Sequence, residues 1–279
     1  MRGTGRQTPV VGIDFQSFRD PGHLVLIAGP CVIESEEHVH RMADTISAIA
    51  LAEGFPYIFK ASFDKANRTS LQGFRGPGLA DGVKILAGLR QRGYSILTDI
   101  HEPAQAAVAA EVADVIQIPA LLCRQTDLLL EAGRTGRIVN VKKGQFVAPH
   151  DMHHAAEKVA STGNRQVVLT ERGTSFGYNN LVVDMRGLRV MAEAGWPVVF
   201  DATHSVQLPS GGGAASGGQP QFIEPLASAA VAVGISGIFV EVHDHPEKAL
   251  SDGPNSLRLD LLPGFLRKLR RIDEARRGV

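Results

Sequence analysis

Short apolar or β-branched runs of four or five residues alternate along this chain with longer segments whose apolar positions recur at helical spacing, and Gly, Pro or Asp marks the changeovers. The runs at 24–28, 57–61, 95–99, 115–118, 138–141, 167–170, 198–201 and 238–242 predict strands. Helical periodicity predicts helices over 36–53, 79–92, 103–111, 126–132, 150–161, 185–194 and 224–233, with a last one over 256–275. Eight strands, each followed by a helix, predict a single (β/α)8 TIM barrel spanning residues 1–279. An open, doubly wound parallel sheet shares this element order and is the alternative, because strand count does not prove closure. Residues 9–15 predict a short N-terminal hairpin ahead of the barrel.

Composition narrows the partners. The chain has 279 residues, 44% of them hydrophobic, enough for one large core. Lys and Arg number 29 and so do Asp and Glu, which leaves no global field for nucleic acid or an anionic membrane. An anionic ligand must then be held by local cations. The two cysteines, Cys31 and Cys123, lack the spacing of a disulfide scaffold or a paired zinc motif. No stretch is apolar enough for a signal peptide or a membrane span, so a cytoplasmic protein without nucleic-acid or membrane partners is expected.

The chemistry-bearing residues gather just after the strands, where a barrel of this kind carries its catalytic rim. Cys31 follows the first strand, His204 the seventh, Glu241 ends the eighth and Asp252 lies beyond it. In a closed barrel the eighth strand adjoins the first, so these four can converge. Thiolate, imidazole and carboxylates suit a divalent transition metal, Zn2+, Fe2+ or Mn2+, rather than Mg2+ or Ca2+. Cys123 is read as packing. His150, His153 and His154 fit a polar helix start as well as a chelate, and His243 and His245 flank Glu241 as partners of its neighbours.

Cations share the same rim: Lys60, Lys65 and Arg68 after the second strand, Lys142 and Lys143 after the fifth, Arg172 after the sixth. Arg offers a planar fork for phosphate and Lys a point charge, so the mixture suits a ligand carrying phosphate and carboxylate together. No Walker loop or dinucleotide fingerprint accompanies them. Residues 210–218, rich in Gly, Ser and Ala, leave the same rim and are read as a mobile loop that closes over substrate.

These motifs resemble those of the 3-deoxy-D-manno-octulosonate 8-phosphate synthases over residues 10–275. The resemblance rests on Ala28-Gly29-Pro30-Cys31, on the run from Phe59 to Ser70 with its Lys65-Ala66-Asn67-Arg68-Thr69, and on Lys142-Lys143-Gly144-Gln145-Phe146. Arg124-Gln125-Thr126-Asp127 and Asp201-Ala202-Thr203-His204-Ser205 extend it. It implies condensation of phosphoenolpyruvate with arabinose 5-phosphate and release of phosphate. Lys60, Lys65, Gln117, Ala120, Lys143 and Arg172 would hold phosphoenolpyruvate, and Asn67, Arg68 and Thr69 the sugar phosphate. Lys65, Asn67, His204 and Asp252 would stand nearest the reacting atoms. The resemblance also implies a homotetramer in which Arg124 reaches a neighbouring subunit's sugar phosphate. It divides the family into metal-dependent and metal-independent classes, the second with Asn at the position of Cys31, and so implies metal dependence here. The rival within reach is the sister reaction on erythrose 4-phosphate, whose loop after the second strand typically reads Lys-Pro-Arg-Thr. A non-catalytic barrel that binds sugar phosphates is the alternative from another class.

Overall fold

All eight apolar runs become strands of one parallel sheet that closes on itself in this computed structural model, which describes residues 13–68, 70–209 and 217–279. The barrel strands are β1 (Val25–Gly29), β2 (Tyr57–Lys60), β3 (Ile96–Asp99), β4 (Val115–Ile118), β5 (Ile138–Lys142), β6 (Val167–Glu171), β7 (Val198–Asp201) and β8 (Gly237–His243). Each pairs with the next, and β1 pairs with β8 from Val25 opposite Gly237 to Gly29 opposite Glu241, which closes the ring. The open-sheet alternative is thereby excluded. The helices are α1 (Glu36–Glu53), α2 (Leu79–Gln91), α3 (Gln105–Ala110), α4 (Thr126–Arg134), α5 (Met152–Ala160), α6 (Arg186–Glu193), α7 (Ile223–Val233) and α8 (Leu262–Arg277).

Strand periodicity of two divides the side chains between two environments. Leu26, Ala28, Phe59, Ile96, Ile116, Val139, Val141, Leu169 and Val240 face outward into the core shared with the helices. Val25, Ile27, Ile58, Leu97, Val115, Ile138, Val168, Val199 and Phe239 form a second buried cluster in the barrel lumen, together with Phe18. Apart from Gly29 in β1, the next inward positions along the strands are polar: Lys60, Asp99, Gln117, Asn140, Lys142, Thr170, Asp201 and Glu241, every one of them buried. The lumen therefore changes from apolar to polar in one step of two residues, and the polar tier requires internal partners.

Local signals explain where the elements begin and end. Ser35 caps α1 by accepting from His38 N at 3.1 Å, Glu36 and Glu37 occupy its positive first turn, and Gly54 ends it in the left-handed conformation at φ 78°. Gly29 is required by close approach, since a Cβ there would come within 2.0 Å of the Lys60 carbonyl oxygen.

Two expectations need correction. Of the hairpin expected over 9–15, residues 9–12 lie outside the described residues, and Phe15 opens a 3-10 turn, Phe15–Phe18, capped by Asp14, rather than a strand. That turn delivers Phe18 to the floor of the lumen, with Ile13 and Phe15 packed beneath. The last helix starts six residues later than its periodicity suggests, because Leu257–Arg258 first adds a short strand beside Val242 and His243 of β8. Two small antiparallel ribbons, Thr174–Ser175 with Leu181–Val182 and Gln207–Leu208 with Gly217–Gly218, decorate the rim and were not anticipated.

Ile46, fully buried on the inner face of α1, tests the helix-to-barrel packing. Ile46→Ala is expected to lower the unfolding free energy by about 2–5 kcal/mol, measured by urea denaturation. A loss under about 1 kcal/mol would show that the α1 interface can collapse around the gap.

Candidate active site

The polar tier of the lumen opens into a cavity at the C-terminal ends of the strands. Lys60, Lys65, Asn67, Arg68, Gln117, Ala120, Lys142, Arg172, His204 and Asp252 line it, together with Asp99, His101, Gln145 and Gln207. Most of the residues singled out from the sequence thus share one space.

At one side of this cavity Cys31, Glu241 and Asp252 each offer a ligand atom within 4.8 Å of the others. His204 turns Nε2 toward them, 3.5 Å from Glu241 Oε1 and 3.8 Å from Asp252 Oδ2. Its other nitrogen, Nδ1, donates to Asp201 Oδ2 at 2.7 Å, which fixes the ring and leaves Nε2 to face the group. The β1–β8 register brings Glu241 beside Gly29, and the chain reaches Cys31 two residues later. Asp252 sits in the left-handed region at φ 51°, a conformation that Asp tolerates better than most side chains. Burial pushes the Cys31 thiol up, and the charges of Asp252 and Glu241 push it further. Glu241 Oε2 is buried without a hydrogen-bond partner. An orphaned carboxylate oxygen beside a thiol, an imidazole and a second carboxylate fits a divalent transition metal held by all four residues.

The cations surround this group. Lys60 Nζ donates to Glu241 Oε1 at 3.0 Å and to the Cys31 carbonyl at 2.8 Å, and Lys65 Nζ lies 3.9 Å from the same Glu241 oxygen. Burial works against the Lys65 charge, but Cys31, Glu241 and Asp99 outweigh it and raise the pKa, so Lys65 stays protonated. Lys142 pairs with Asp201 and stands 3.5 Å above the centroid of the Phe239 ring, a cation–π contact, while burial lowers its pKa against the pull of Asp201. Arg172 donates from Nη2 to Gln207 Oε1 at 2.8 Å, and its buried Nη1 has no partner. A buried, half-satisfied guanidinium facing a cavity is a ready anion site. Arg68 hydrogen-bonds Ser251 Oγ and lies 3.6 Å from Asp252 Oδ1, which ties the loop after β2 to the loop after β8.

Two residues expected to bind substrate, Lys143 and Arg124, do not line this cavity. Lys143 points away from the cavity: its fully buried ammonium is held 3.4 Å from Glu171 Oε1 and donates to Thr174 Oγ1 at 3.0 Å and to the Gly173 carbonyl at 3.2 Å. Strand alternation is the cause, since Ile138, Asn140 and Lys142 face the lumen and the next residue must face out. Arg124 is exposed and lines a separate surface cleft with Phe146, Asp151 and Lys158. Thr69 and residues 210–216 of the expected closing loop lie outside the described residues. Cys123 is buried behind Gly144, as a packing residue should be, and His150 and His154 lie well exposed on the surface.

Asp99 and His101 belong to the cavity but were not among the residues expected to bind. Ser62 Oγ hydrogen-bonds Asp99, and His101 Nε2 lies 3.3 Å from the other Asp99 oxygen. The same alternation in β3, with Leu97 inward, would have found Asp99.

Fold and mouth together define a closed (β/α)8 barrel whose rim gathers cations around a thiol–imidazole–carboxylate group. The profile of the DAHP synthetase I family matches residues 19–277. Proteins named 2-dehydro-3-deoxyphosphooctonate aldolase share this sequence closely. The one from Geotalea uraniireducens is 60% identical over 251 residues, 90% of this chain and 92% of its own. That from Koribacter versatilis is 61% identical over 256 residues and that from Geobacter sulfurreducens 59% over 251, each covering 90% of this chain and 92% of the relative. The chain belongs to the DAHP synthetase I family, in the branch of the 2-dehydro-3-deoxyphosphooctonate aldolases.

The two adjacent lysines of β5 separate binding from packing. Lys142→Met and Lys143→Met each strand a buried carboxylate, Asp201 or Glu171, so both are expected to melt lower. Only Lys142→Met is expected to weaken phosphoenolpyruvate binding in calorimetry, by about 10–100-fold, the worth of a charge-assisted contact of roughly 1.5–3 kcal/mol. The reverse order of effects would put the binding cation at Lys143.

Proposed function

We propose that this protein condenses phosphoenolpyruvate with D-arabinose 5-phosphate and water to give 3-deoxy-D-manno-octulosonate 8-phosphate and inorganic phosphate, the entry to Kdo for lipopolysaccharide. The observation that carries this reading is the identity of about 60% over 90% of the chain to proteins named for that product. The sister reaction on erythrose 4-phosphate is not favoured. Asn67, which with Arg68 lines the cavity in place of the rival's Pro-Arg-Thr, supports the five-carbon sugar.

In the reaction, C3 of phosphoenolpyruvate bonds to the aldehyde carbon of the sugar and the aldehyde oxygen becomes a hydroxyl. The oxygen of water adds at C2, and the tetrahedral intermediate loses phosphate by cleavage of its C2–O bond. Lys60, Lys142 and Arg172, with Gln117 and the backbone at Ala120, hold phosphoenolpyruvate, Lys142 replacing the expected Lys143. Asn67, Arg68 and Thr69 hold the sugar phosphate. Pinning two anions side by side supplies proximity, and cations already in place stabilise charge as it shifts. In this reading Lys65, kept protonated beside Glu241, stabilises the aldehyde oxygen as it gains charge. A divalent metal, Zn2+, Fe2+ or Mn2+, held by Cys31, His204, Glu241 and Asp252, would supply Lewis acidity when bound.

The working form in this reading is a homotetramer. Arg124 lies away from its own cavity, and Leu121, Phe146, Phe176 and Tyr178 are exposed apolar side chains on loops of the same rim, a surface suited to a second copy. No helix among the described residues is long and apolar enough to cross a membrane, and a cytoplasmic location suits two free thiols.

Phosphate release from phosphoenolpyruvate is expected at least about tenfold faster with arabinose 5-phosphate than with erythrose 4-phosphate, a selectivity near 1.4 kcal/mol. Equal or faster turnover with the four-carbon sugar would sink the substrate assignment. Chelation is expected to abolish turnover, and Cys31→Asn to lower bound metal by elemental analysis. Full activity in chelated protein would remove the metal. Arg124→Ala is expected to raise KM for arabinose 5-phosphate with little change for phosphoenolpyruvate, and light scattering to report four chains. A monomer with unaltered kinetics would refute the shared site.

A further inference from the structure

On the outer side of the rim, away from the cavity, Glu34, His38 and His243 meet where the start of α1 packs on the end of β8. One ligand atom from each lies within 4.8 Å of the others, and none of the three lines the cavity. His38 and His243 are 7% and 5% exposed, and the Glu34 side chain 16%, so the group is open on one side only. His38 Nε2 donates to Asp244 Oδ1 at 3.1 Å, which leaves the lone pair on Nδ1, a buried atom with no partner. His243 Nε2 lies 3.3 Å from Glu34 Oε1, yet it too is buried without a hydrogen bond. That contact is an ion pair of poor hydrogen-bond geometry, with the proton on Nε2 because Nδ1 accepts from His245 N, and a cation taking the place of that proton would keep one ligand atom of each of the three residues in reach. The spacing matches the edge of a tetrahedron with metal–ligand bonds of about 2.0–2.1 Å. Asp244 stands behind both rings, its Oδ1 3.2 Å from His243 Nδ1 and its Oδ2 held by Arg41 at 2.8 Å. A carboxylate on the remote nitrogen is how ligating histidines are oriented.

We propose that Glu34, His38 and His243 form a second site for a divalent transition metal such as Zn2+, separate from the Cys31 group and built from nitrogen and oxygen donors alone. Binding frees Nε2 of His243 by placing its proton on Nδ1 and toward Asp244, at the expense of the His245 N–H contact of 2.9 Å. Water completes the coordination through the exposed side. Glu34 Oε1 also accepts from Leu250 N at 2.8 Å, so an ion here ties the segment leading to Ser251 and Asp252 onto α1 and β8. The site is structural: it braces the loop that carries Asp252 and does not touch substrate.

Cobalt(II) titration of the metal-free full chain, followed by absorption spectra and by metal analysis after gel filtration, tests this. Two binding events are expected. One carries a thiolate-to-cobalt charge-transfer band and disappears in Cys31→Ser; the other lacks the band, persists in Cys31→Ser, disappears in His38→Gln and weakens in Glu34→Gln. A single event that vanishes in Cys31→Ser and survives His38→Gln overturns the proposal. A single event without the thiolate band, lost in His38→Gln, upholds it and removes the Cys31 group instead. Should His38→Gln fail to fold, Cys31→Ser decides alone, because an equivalent of cobalt retained there supports the second site and none retained refutes it.

Discussion

The mouth of the barrel is organised around the carboxylate of Asp201. It accepts from His204 Nδ1 and Lys142 on one oxygen and from Thr203 N, Thr203 Oγ1 and His204 N on the other. Burial opposes its charge, and His204 and Lys142 outweigh burial, so it stays ionised far below the usual carboxylate range. One anion thereby orients an imidazole toward Glu241 and Asp252 and holds an ammonium in the cavity. Removing one member of such a buried set typically costs about 3–5 kcal/mol, because the remaining charge has no water to turn to. Lys60 of β2 and Glu241 of β8, the strand beside β7, form a second buried pair.

The apolar floor of the lumen makes this arrangement affordable. Phe18, Phe239 and the valines and isoleucines of the inner tier fill the barrel below the charges, so water does not reach them from beneath. Stability rests on the floor and on the outer core, while the polar tier sets electrostatics. Gly29, which lets the ends of β1 and β2 approach closely, joins the two by bringing Cys31 within reach of Lys60.

Much of this was legible in the sequence, because fully buried parallel strands read as uninterrupted apolar runs and well-capped helices announce their starts. The convergence of Cys31, Glu241 and Asp252 followed from closure alone. The late start of α8 was hidden because Leu257 and Arg258 carry no mark that separates a short strand from a helix. That Lys142 rather than Lys143 lines the cavity was hidden for a simpler reason: resemblance aligns residues, whereas only the in-and-out phase of β5 decides which lysine faces the lumen. Asp99 is marked in the sequence only by sharing the inward phase of Leu97 in β3. The cluster of Glu34, His38 and His243 draws on three separate elements, and its orphaned nitrogens have no signature in the chain.

The left-handed backbone at Asp252 acts as a filter on what this position can become. Asn and Gly enter that conformation at little cost, while Glu, the β-branched residues and the aromatics do so only under strain. Drift at this site is therefore channelled: the loop can readily give up its charge or its side chain altogether, but it cannot lengthen the carboxylate or trade it for a bulky neutral group. A lineage that dispenses with this carboxylate would accordingly be expected to keep the loop's shape and alter only the tip of this side chain.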